Sequence, residues 1–600
     1  MLSPQLKTEI DKLWNRFWSS GVANPLTAIE QITYLIFLKR LEDQDNERAA
    51  QSQGTDYTVS SLYDEKTDQY RWSRLFYMPG DEALRFIQGP VMDWLKHLPG
   101  AEEQMQDAVF VLPNANLLRG AMDAVNTLFI SGRNQDTLGD IFEYLLSEIA
   151  TAGKNGQFRT PRHIIRAMCE LTNPQLGERI CDPACGTAGF LVNAYQHILQ
   201  QNTSRDILEF EADGTSLNLI GDRLSPDQHD ALRQNHFFGF DFDRTMVRLG
   251  WMNMVLHGLE NAQVRYGDTL GSKFNEQVRS DSVGHFDVIL ANPPFTGSLD
   301  KSDVGESLRP LGTNKTELLF LELILQLLRP GGRAAVIVPE GVLFGSTTAH
   351  RAIRERLLTE NQLDAVVSLP SGVFQPYTGV KTSILLFTKG GSTERVWFYD
   401  VTADGYTLNA RRAEQPEKND LWDLTLHARA QFAPLPFPIT GDTPDRPFRL
   451  VPWEHVPAFV PEDDWLRWRS LPFDDAGPER EGLLKLSLPG EALYFQPQFV
   501  TERREIDPET PSPNLLPETV EVRLFQTLQP VAPTAPKHWF VETATIREND
   551  FNLSAGRYKA AAAVTDTYEP PADLIRQLQA MEEDIQKDLG NLLAMVENRA

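Results

Sequence analysis

Cysteine is nearly absent, with 3 in 600 residues. That excludes a disulfide framework and points to a reducing compartment. Cys181 and Cys185 form no CxxC pair, and Cys169 upstream adds no histidine cluster, so a structural zinc site is excluded and no metal is expected. Long apolar runs are missing as well. The greasiest stretch, ELLFLELILQLL, is interrupted by glutamates and too short to span a bilayer. The amino terminus, MLSPQLKTEIDKLW, is polar and lacks the apolar core of a signal peptide, so a cytoplasmic protein with no membrane partner is expected. Positive charge is scarce: 57 Lys+Arg stand against 83 Asp+Glu, a formal net charge of -26. A surface of that sign repels nucleic acid on average, so a polyanionic partner has to be held by a local basic patch or by another subunit.

What is present is ordinary for a soluble multidomain protein, with 41% hydrophobic and 23% charged residues. The length suggests about two to four domains. Ile10, Leu13, Trp14, Phe17 and Trp18 recur at three and four, and TAIEQITYLIFLKRLED repeats the pattern, so 1–150 reads as a helical domain. From 151 to 414 the texture changes. Short β-branched or apolar runs such as FDVILANPP, GRAAVIVPEG and TSILLFTKG end in turn residues, and amphipathic segments lie between several of them. This predicts an α/β domain around a mostly parallel sheet, Rossmann-like in class. Residues 415–540 are proline-rich and read as loops, edge strands or an extended linker. The segment 541–600 recovers periodicity at Leu574, Leu578, Met581, Ile585, Leu589, Leu592 and Val596, which predicts one long terminal helix suited either to a partner helix or to its own domain.

Three places carry chemistry. In RICDPACGTAGFL a strand ends at Cys181, an acid follows at Asp182, and Gly186 and Gly189 precede a helix opening near Thr187. Such a strand-to-helix turn lies at the carboxyl edge of a doubly wound sheet, where ligands bind. It is neither GxGxxG nor GxxxxGK[ST], so a dinucleotide pyrophosphate and a nucleoside triphosphate are not the expected guests, and a dehydrogenase is excluded. Asp182 suits a cationic amine better than a phosphate. Asp241 in FFGFDFD and Asp268 in VRYGDTL each close a further apolar run and can accept from a ribose hydroxyl and an exocyclic amine. The third place is ANPPF. An amine on an aromatic ring is a poor nucleophile, because its lone pair is delocalised. Two acceptors aimed at its N–H bonds hold the nitrogen pyramidal, and the amide oxygen of Asn292 with the carbonyl of Pro293 can supply them. The prolines make the corner rigid. Pre-set dipoles of this kind need no reorganisation as charge develops, and Phe295 offers a face on which a planar base can stack.

DPACGTAGF followed by ANPPF resembles the motifs of S-adenosylmethionine-dependent amino methyltransferases. With GQFRTPRHIIRAM, FGFDFDRTMVRLGWMNMVLHGL, LRPGGRAAVIVPEGVLF and LPSGVFQPYTGVKTSILLFTK, the chain resembles the modification subunit of type I restriction-modification systems, an N6-adenine DNA methyltransferase. The likeness covers about residues 1–410 and returns at IRENDFNLSAGRY. The motif order, FRTP before the glycine turn before NPPF, is that of the γ class. The resemblance implies that Gln157, Phe158 and Thr160, with Asp182 and the turn through Ala184, Gly186, Thr187, Gly189 and Phe190, hold the methionine portion of S-adenosyl-L-methionine. It implies that Asp241 takes the ribose hydroxyls and Asp268 the adenine amine, with Phe242 and Thr269 also on the cofactor, and that Asn292, Pro293, Pro294 and Phe295 form the catalytic loop. It further implies adenine flipped out of duplex DNA, a separate specificity subunit bound by two modification subunits, and a restriction subunit that can join them. Two departures stand out: the family often has glutamate where Asp241 stands, and 415–540 is longer and richer in proline than expected. The competing expectations are a methyltransferase of another amine, in RNA guanine or protein glutamine, and a non-catalytic DNA-binding scaffold.

Overall fold

The computed structural model describes residues 4–22, 24–52, 61–98, 100–131, 144, 160–204, 207–210, 216–259, 261–272, 274, 284–421, 423–425, 428 and 537–559, with five further strands between 460 and 531. The chain divides into two units, Met1–Arg557 and Tyr558–Ala600, and the site lies in the first. The terminal helix expected through Leu574–Val596, with its assembly role, lies outside the described residues.

The amino-terminal part is helical. Helices α1 (Pro4–Ser19), α2 (Pro25–Ser52) and α3 (Ala115–Ser131) pack on one another. Helix α2 buries Ile29, Ile32, Tyr34, Leu35, Ile36, Phe37 and Leu38, apolar nearly all round. A helix of that kind sits in the middle of a core, and α2 lies between α1, α3 and the sheet domain.

The sheet domain carries nine strands: β1 (Ile180–Asp182), β2 (Gln234–Asp241), β3 (Asn261–Tyr266), β4 (Phe286–Ala291), β5 (Leu328–Pro339), β6 (Gln362–Ser368), β7 (Thr382–Thr388), β8 (Arg395–Asp400) and β9 (His538–Glu542). Their order is 9-8-6-7-5-4-1-2-3. The pairs β1/β2, β2/β3, β1/β4, β4/β5 and β6/β8 are parallel, while β7 and β9 run against their neighbours. Central strands are covered on both faces and read as unbroken apolar runs, and every residue of FDVILA in β4 is buried. Helix α4 (Arg162–Thr172) precedes β1, and α5 (Gly189–Gln201), α6 (Arg244–Leu256), α7 (Thr316–Leu327) and α8 (Thr348–Thr359) lie between strands in sequence.

Two features fall outside the boundaries drawn from sequence. Strand β9 comes from beyond the proline-rich region and closes the edge beside β8, so the boundary at 540 falls inside a strand of the catalytic sheet. Buried Arg354 of α8 donates to the carbonyls of Phe551, Val342 and Gly345, which ties the segment after β9 back to the same domain. Within 415–540 the backbone forms a five-stranded antiparallel sheet, ordered Val460–Pro461, Thr519–Val531, Glu491–Glu505, Leu484–Leu488, Phe473–Asp475. Its long pair contains Pro497 and Pro530, in a region whose prolines read as loops, edge strands or an extended linker. No helix among the described residues is long and apolar enough to cross a membrane.

Candidate active site

Strand β1 has β2 on one side and β4 on the other, both parallel to it, so the strand order reverses at this point. The carboxyl ends of β1 and β4 therefore flank the crevice that a doubly wound sheet opens to ligands. The DPACG turn leaves β1 there and the NPPF corner leaves β4 there.

The turn is held from several sides. Cys185 N–H donates to Phe240 O at 2.9 Å, and Ala188 N–H donates to Cys185 O at 2.8 Å. Gly186 has φ 50 and Ala188 φ 62, both left-handed, which directs the chain sharply into α5. Helix α6 packs against the turn: a Cβ on Gly250 would lie 2.9 Å from Gly186 O, so only glycine permits that approach. From the same helix Asn253 Nδ2 donates to Thr187 O at 2.8 Å, and Thr269 Oγ1 donates to Pro183 O at 3.1 Å. Thr269 is buried and braces the turn.

The acids differ in environment. Asp182 is 1% exposed and accepts from Ala184 N–H at 3.0 Å. Burial pushes its carboxyl up to about 8, and the charge of Asp241 adds to the rise. Asp241 gives one oxygen to Gly186 N–H and the other to Asp243 N–H, each at 2.9 Å. Burial raises its pKa too, against those hydrogen bonds. Thus Asp241 clamps the glycine turn to β2, in addition to any ligand it accepts from. Phe242 beside it is 68% exposed, an apolar face open to solvent. Asp268 is exposed at the end of β3 and accepts from Leu270 N–H at 3.2 Å. Phe190 is buried in the core and backs the turn. Gln157 and Phe158 lie outside the described residues, whereas Thr160 is described and reaches the NPPF corner.

At that corner Asn292 Nδ2 donates to Thr160 Oγ1 at 2.8 Å, and Asn292 Oδ1 is buried with no partner. A buried amide oxygen left unpaired costs about 1–3 kcal/mol, and functional sites are where such costs are retained. Pro293 is buried and Pro294 exposed. Phe295 does not present the open face expected from sequence. It is buried, and its ring meets Phe374 edge-on with centroids 5.2 Å apart. The physical reason is that apolar rings pack together when no base lies between them.

Two groups at the site escaped the reading of the sequence. Phe374 follows β6 in LPSGVFQP, and its only signal there was an aromatic just beyond a strand end. His163, the second residue of α4, sits 2.9 Å from Asp404 Oδ2, and Arg412 also pairs with Asp404. The His163 ring stacks on Tyr406 with centroids 4.5 Å apart. Burial holds the His163 pKa below its usual range despite the carboxylate. Cys181 and Cys185 are buried and their thiols pushed well up, so neither is an activated nucleophile. The arrangement offers an amine the unpaired Oδ1 of Asn292 as an acceptor.

The sequence matches the family model for N-6 DNA methylase over residues 133–424 and that for the HsdM N-terminal domain over residues 6–125. It is 32% identical over 397 residues to the type I restriction enzyme EcoEI methylase subunit of Escherichia coli, covering 64% of this chain and 74% of that one. It is 30% identical over 428 residues to the StySPI methylase subunit of Salmonella potsdam, covering 67% and 72%. Among solved structures, a chain from a type I restriction-modification assembly shares the fold with a TM-score of 0.59 at 24% identity, over 100% of this chain and 99% of that chain. The methyltransferase subunit of a type I system from Streptococcus thermophilus shares it with a TM-score of 0.51 at 20% identity, over 68% and 89%. A mostly parallel sheet with both motifs at its switch point, and relatives matched along most of their length, make one conclusion: this chain belongs to the methylase subunits of type I restriction-modification systems.

Proposed function

We propose that the chain transfers the methyl group of S-adenosyl-L-methionine to N6 of an adenine turned out of duplex DNA. The single observation that carries this reading is the buried, unpartnered Oδ1 of Asn292 at the end of β4, beside the glycine turn.

The residues around the turn fit the cofactor. Asp182 is a buried carboxyl with no ion pair among the described residues, and an α-ammonium group is the partner its burial calls for. Thr160 and the backbone from Ala184 to Gly189 hold the rest of the amino-acid portion, Asp241 accepts from the ribose, and Asp268 from the adenine amine. Phe242 supplies an exposed aromatic face for the adenine ring. The bound cofactor supplies an electrophilic methyl group on a positively charged sulfur.

Extruding the target base costs a few kcal/mol of stacking, offset by contacts in the pocket. Phe295 and Phe374 part from their edge-on contact and close on the base, Phe295 against its face. Asn292 Oδ1 and the Pro293 carbonyl accept the two amine hydrogens. They hold the nitrogen pyramidal and stabilise the positive charge that grows on it during in-line transfer. As the sulfur leaves in the neutral thioether of S-adenosylhomocysteine, the amine, now cationic with four substituents and strongly acidic, loses its extra proton to water, so no base of high pKa is required beside Asn292.

The net charge of -26 opposes DNA binding by the chain alone. The chain therefore works in an assembly, two copies with one specificity subunit that reads the sequence, to which a restriction subunit binds. The test is base-resolved mapping of N6-methyladenine in cells carrying the wild-type gene or Asn292→Ala, each with the specificity partner. One sequence motif methylated in wild type and bare in the variant is expected. An unchanged methylation map in the variant would overturn the assignment of Asn292.

A further inference from the structure

We infer that Thr160 is a positioning residue for Asn292, and that the bound cofactor sets the direction of the hydrogen bond between them. This rests on the methyltransferase reading above. The side-chain amide of asparagine has an accepting end and a donating end of nearly the same shape. Only the oxygen can accept from a target amine. Turned over, the amide would point N–H bonds at N–H bonds and block transfer. Asn292 Nδ2 donates to Thr160 Oγ1 at 2.8 Å and leaves Oδ1 unpaired, the productive orientation.

A hydroxyl is an ambivalent neighbour, since it carries one proton and also accepts. If Thr160 aimed its proton at Asn292, it would hold the amide in the unproductive orientation. The productive one is secured when that proton is directed elsewhere, to a group that only accepts. A carboxylate is such a group, and the amino-acid portion of the cofactor carries one. With the Thr160 proton directed to that carboxylate, its oxygen can only accept from Asn292 Nδ2, and Oδ1 faces the base. Cofactor binding thereby prepares the site for the amine.

Thr160 is well placed for this because its backbone is anchored. Pro161 follows it with φ -57 and caps α4. One turn on, His163 is fixed by Asp404 at 2.9 Å and by the stacked ring of Tyr406. The anchor reaches α4 from the hairpin Asp404–Tyr406/Glu414–Asn419, far along the chain. A hydroxyl on so firm a base holds its distance to Asn292 without help from the cofactor; only its proton remains to be set.

The experiment uses the assembled enzyme and duplexes carrying its mapped site, with either adenine or purine at the target position. Purine lacks the amine. Affinities are measured with and without S-adenosylhomocysteine, which has the carboxylate but no transferable methyl. Thr160→Val keeps the shape and removes the hydroxyl, and Thr160→Ser keeps the hydroxyl. In wild type and Thr160→Ser, S-adenosylhomocysteine is expected to raise the preference for adenine over purine by about 5-fold or more, by linkage between the two ligands. In Thr160→Val the preference should not respond. At saturating cofactor the single-turnover rate of Thr160→Val should fall about 10- to 100-fold, and serine should restore most of it. Should Thr160→Val fail to fold, Thr160→Ala takes its place. Undiminished linkage in the valine or alanine variant overturns the inference, as does a serine variant that behaves like valine. Wild-type enzyme that binds no S-adenosylhomocysteine would instead sink the methyltransferase reading beneath it.

Discussion

The ring of Phe295 stands at 83° to that of Phe374, with centroids 5.2 Å apart, and both side chains are buried. One ring comes from the corner after β4 and the other from the loop after β6, so the contact closes the site across the strands between them. Because Phe295 is packed, its loss has a structural as well as a catalytic cost. Phe295→Ala should destabilise by about 3–5 kcal/mol, the range for emptying a buried phenylalanine site. Phe295→Leu keeps most of the volume and should cost less than about 1.5 kcal/mol, yet it removes the flat face. Thermal unfolding together with 2-aminopurine fluorescence at the target separates the two. Near-wild-type stability with weakened base capture is expected for leucine, and wild-type capture by the leucine variant would show that stacking on Phe295 is not used.

Much of this site was legible beforehand because its parts are local. Ile180–Asp182 and Phe286–Ala291 are short apolar runs that end at turn residues, and their order alone predicts a crevice at their carboxyl ends. What was illegible depends on chain closure over long separations. His163 and Asp404 lie 241 residues apart, and nothing local pairs a histidine in a helix with an aspartate in a hairpin. Asn292 and Thr160 lie 132 apart, so the motif around Thr160 does not reveal its hydrogen bond to the Asn292 amide. Strand β9 reads as any HWFVE run would, and its partner is decided only when β8 is left as an open edge. In 491–531 the prolines masked an alternating pattern, because proline argues against a strand in sequence even where the backbone keeps one.

Asn292→Ala should leave cofactor affinity nearly unchanged and lower turnover by about 100- to 1000-fold, the cost of removing one pre-set dipole from a developing charge. It also removes a buried unpaired oxygen, so the fold should be no less stable than in wild type beyond the loss of one hydrogen bond to Thr160. Calorimetric titration with cofactor and single-turnover methylation provide the comparison. Lost cofactor binding with intact turnover at saturation would show that the corner and the turn have been assigned the wrong way round.

Asp182 makes stability depend on pH in an unusual sense. Its pKa is raised by burial to about 8, above that of an exposed aspartate. Between the unfolded and folded values the native state binds the extra proton, so ∂ΔG/∂pH is negative. The stabilisation is complete below about pH 4 for this group, falls as pH rises, and is lost once pH passes about 8. Other carboxylates titrate at the acid end, so the clean window is about pH 6–8. Asp182→Asn cannot ionise and should flatten the decline in that window, as read from denaturant unfolding without cofactor. Cofactor binding near pH 7 should release a proton as Asp182 ionises against the ammonium, a release that titrations in buffers of different ionisation enthalpy report and that asparagine should abolish. Equal proton release from the variant would remove Asp182 from the ammonium site.

The junction between the helical domain and the sheet domain runs through Arg248 of α6. Its guanidinium pairs with Glu30 and donates to Tyr34 Oη at 3.2 Å, both on α2, with Arg248 5% exposed. The same helix carries Gly250 against Gly186 O and Asn253 onto Thr187 O, so one rigid element touches both the interdomain ion pair and the glycine turn. Removing one member of a buried pair strands the other charge, at about 3–5 kcal/mol. Arg248→Ala should therefore lower stability by that order and weaken cofactor binding through α6, although the hydrogen bonds of Arg248 go to Gln104, Glu30 and Tyr34. Arg248→Met with Glu30→Leu replaces both charges by apolar groups and should recover most of the stability, since such replacements are often neutral or better. If the double variant also regains cofactor affinity, packing of α6 carries the coupling. Should stability return without affinity, the ion pair itself sets the position of the turn.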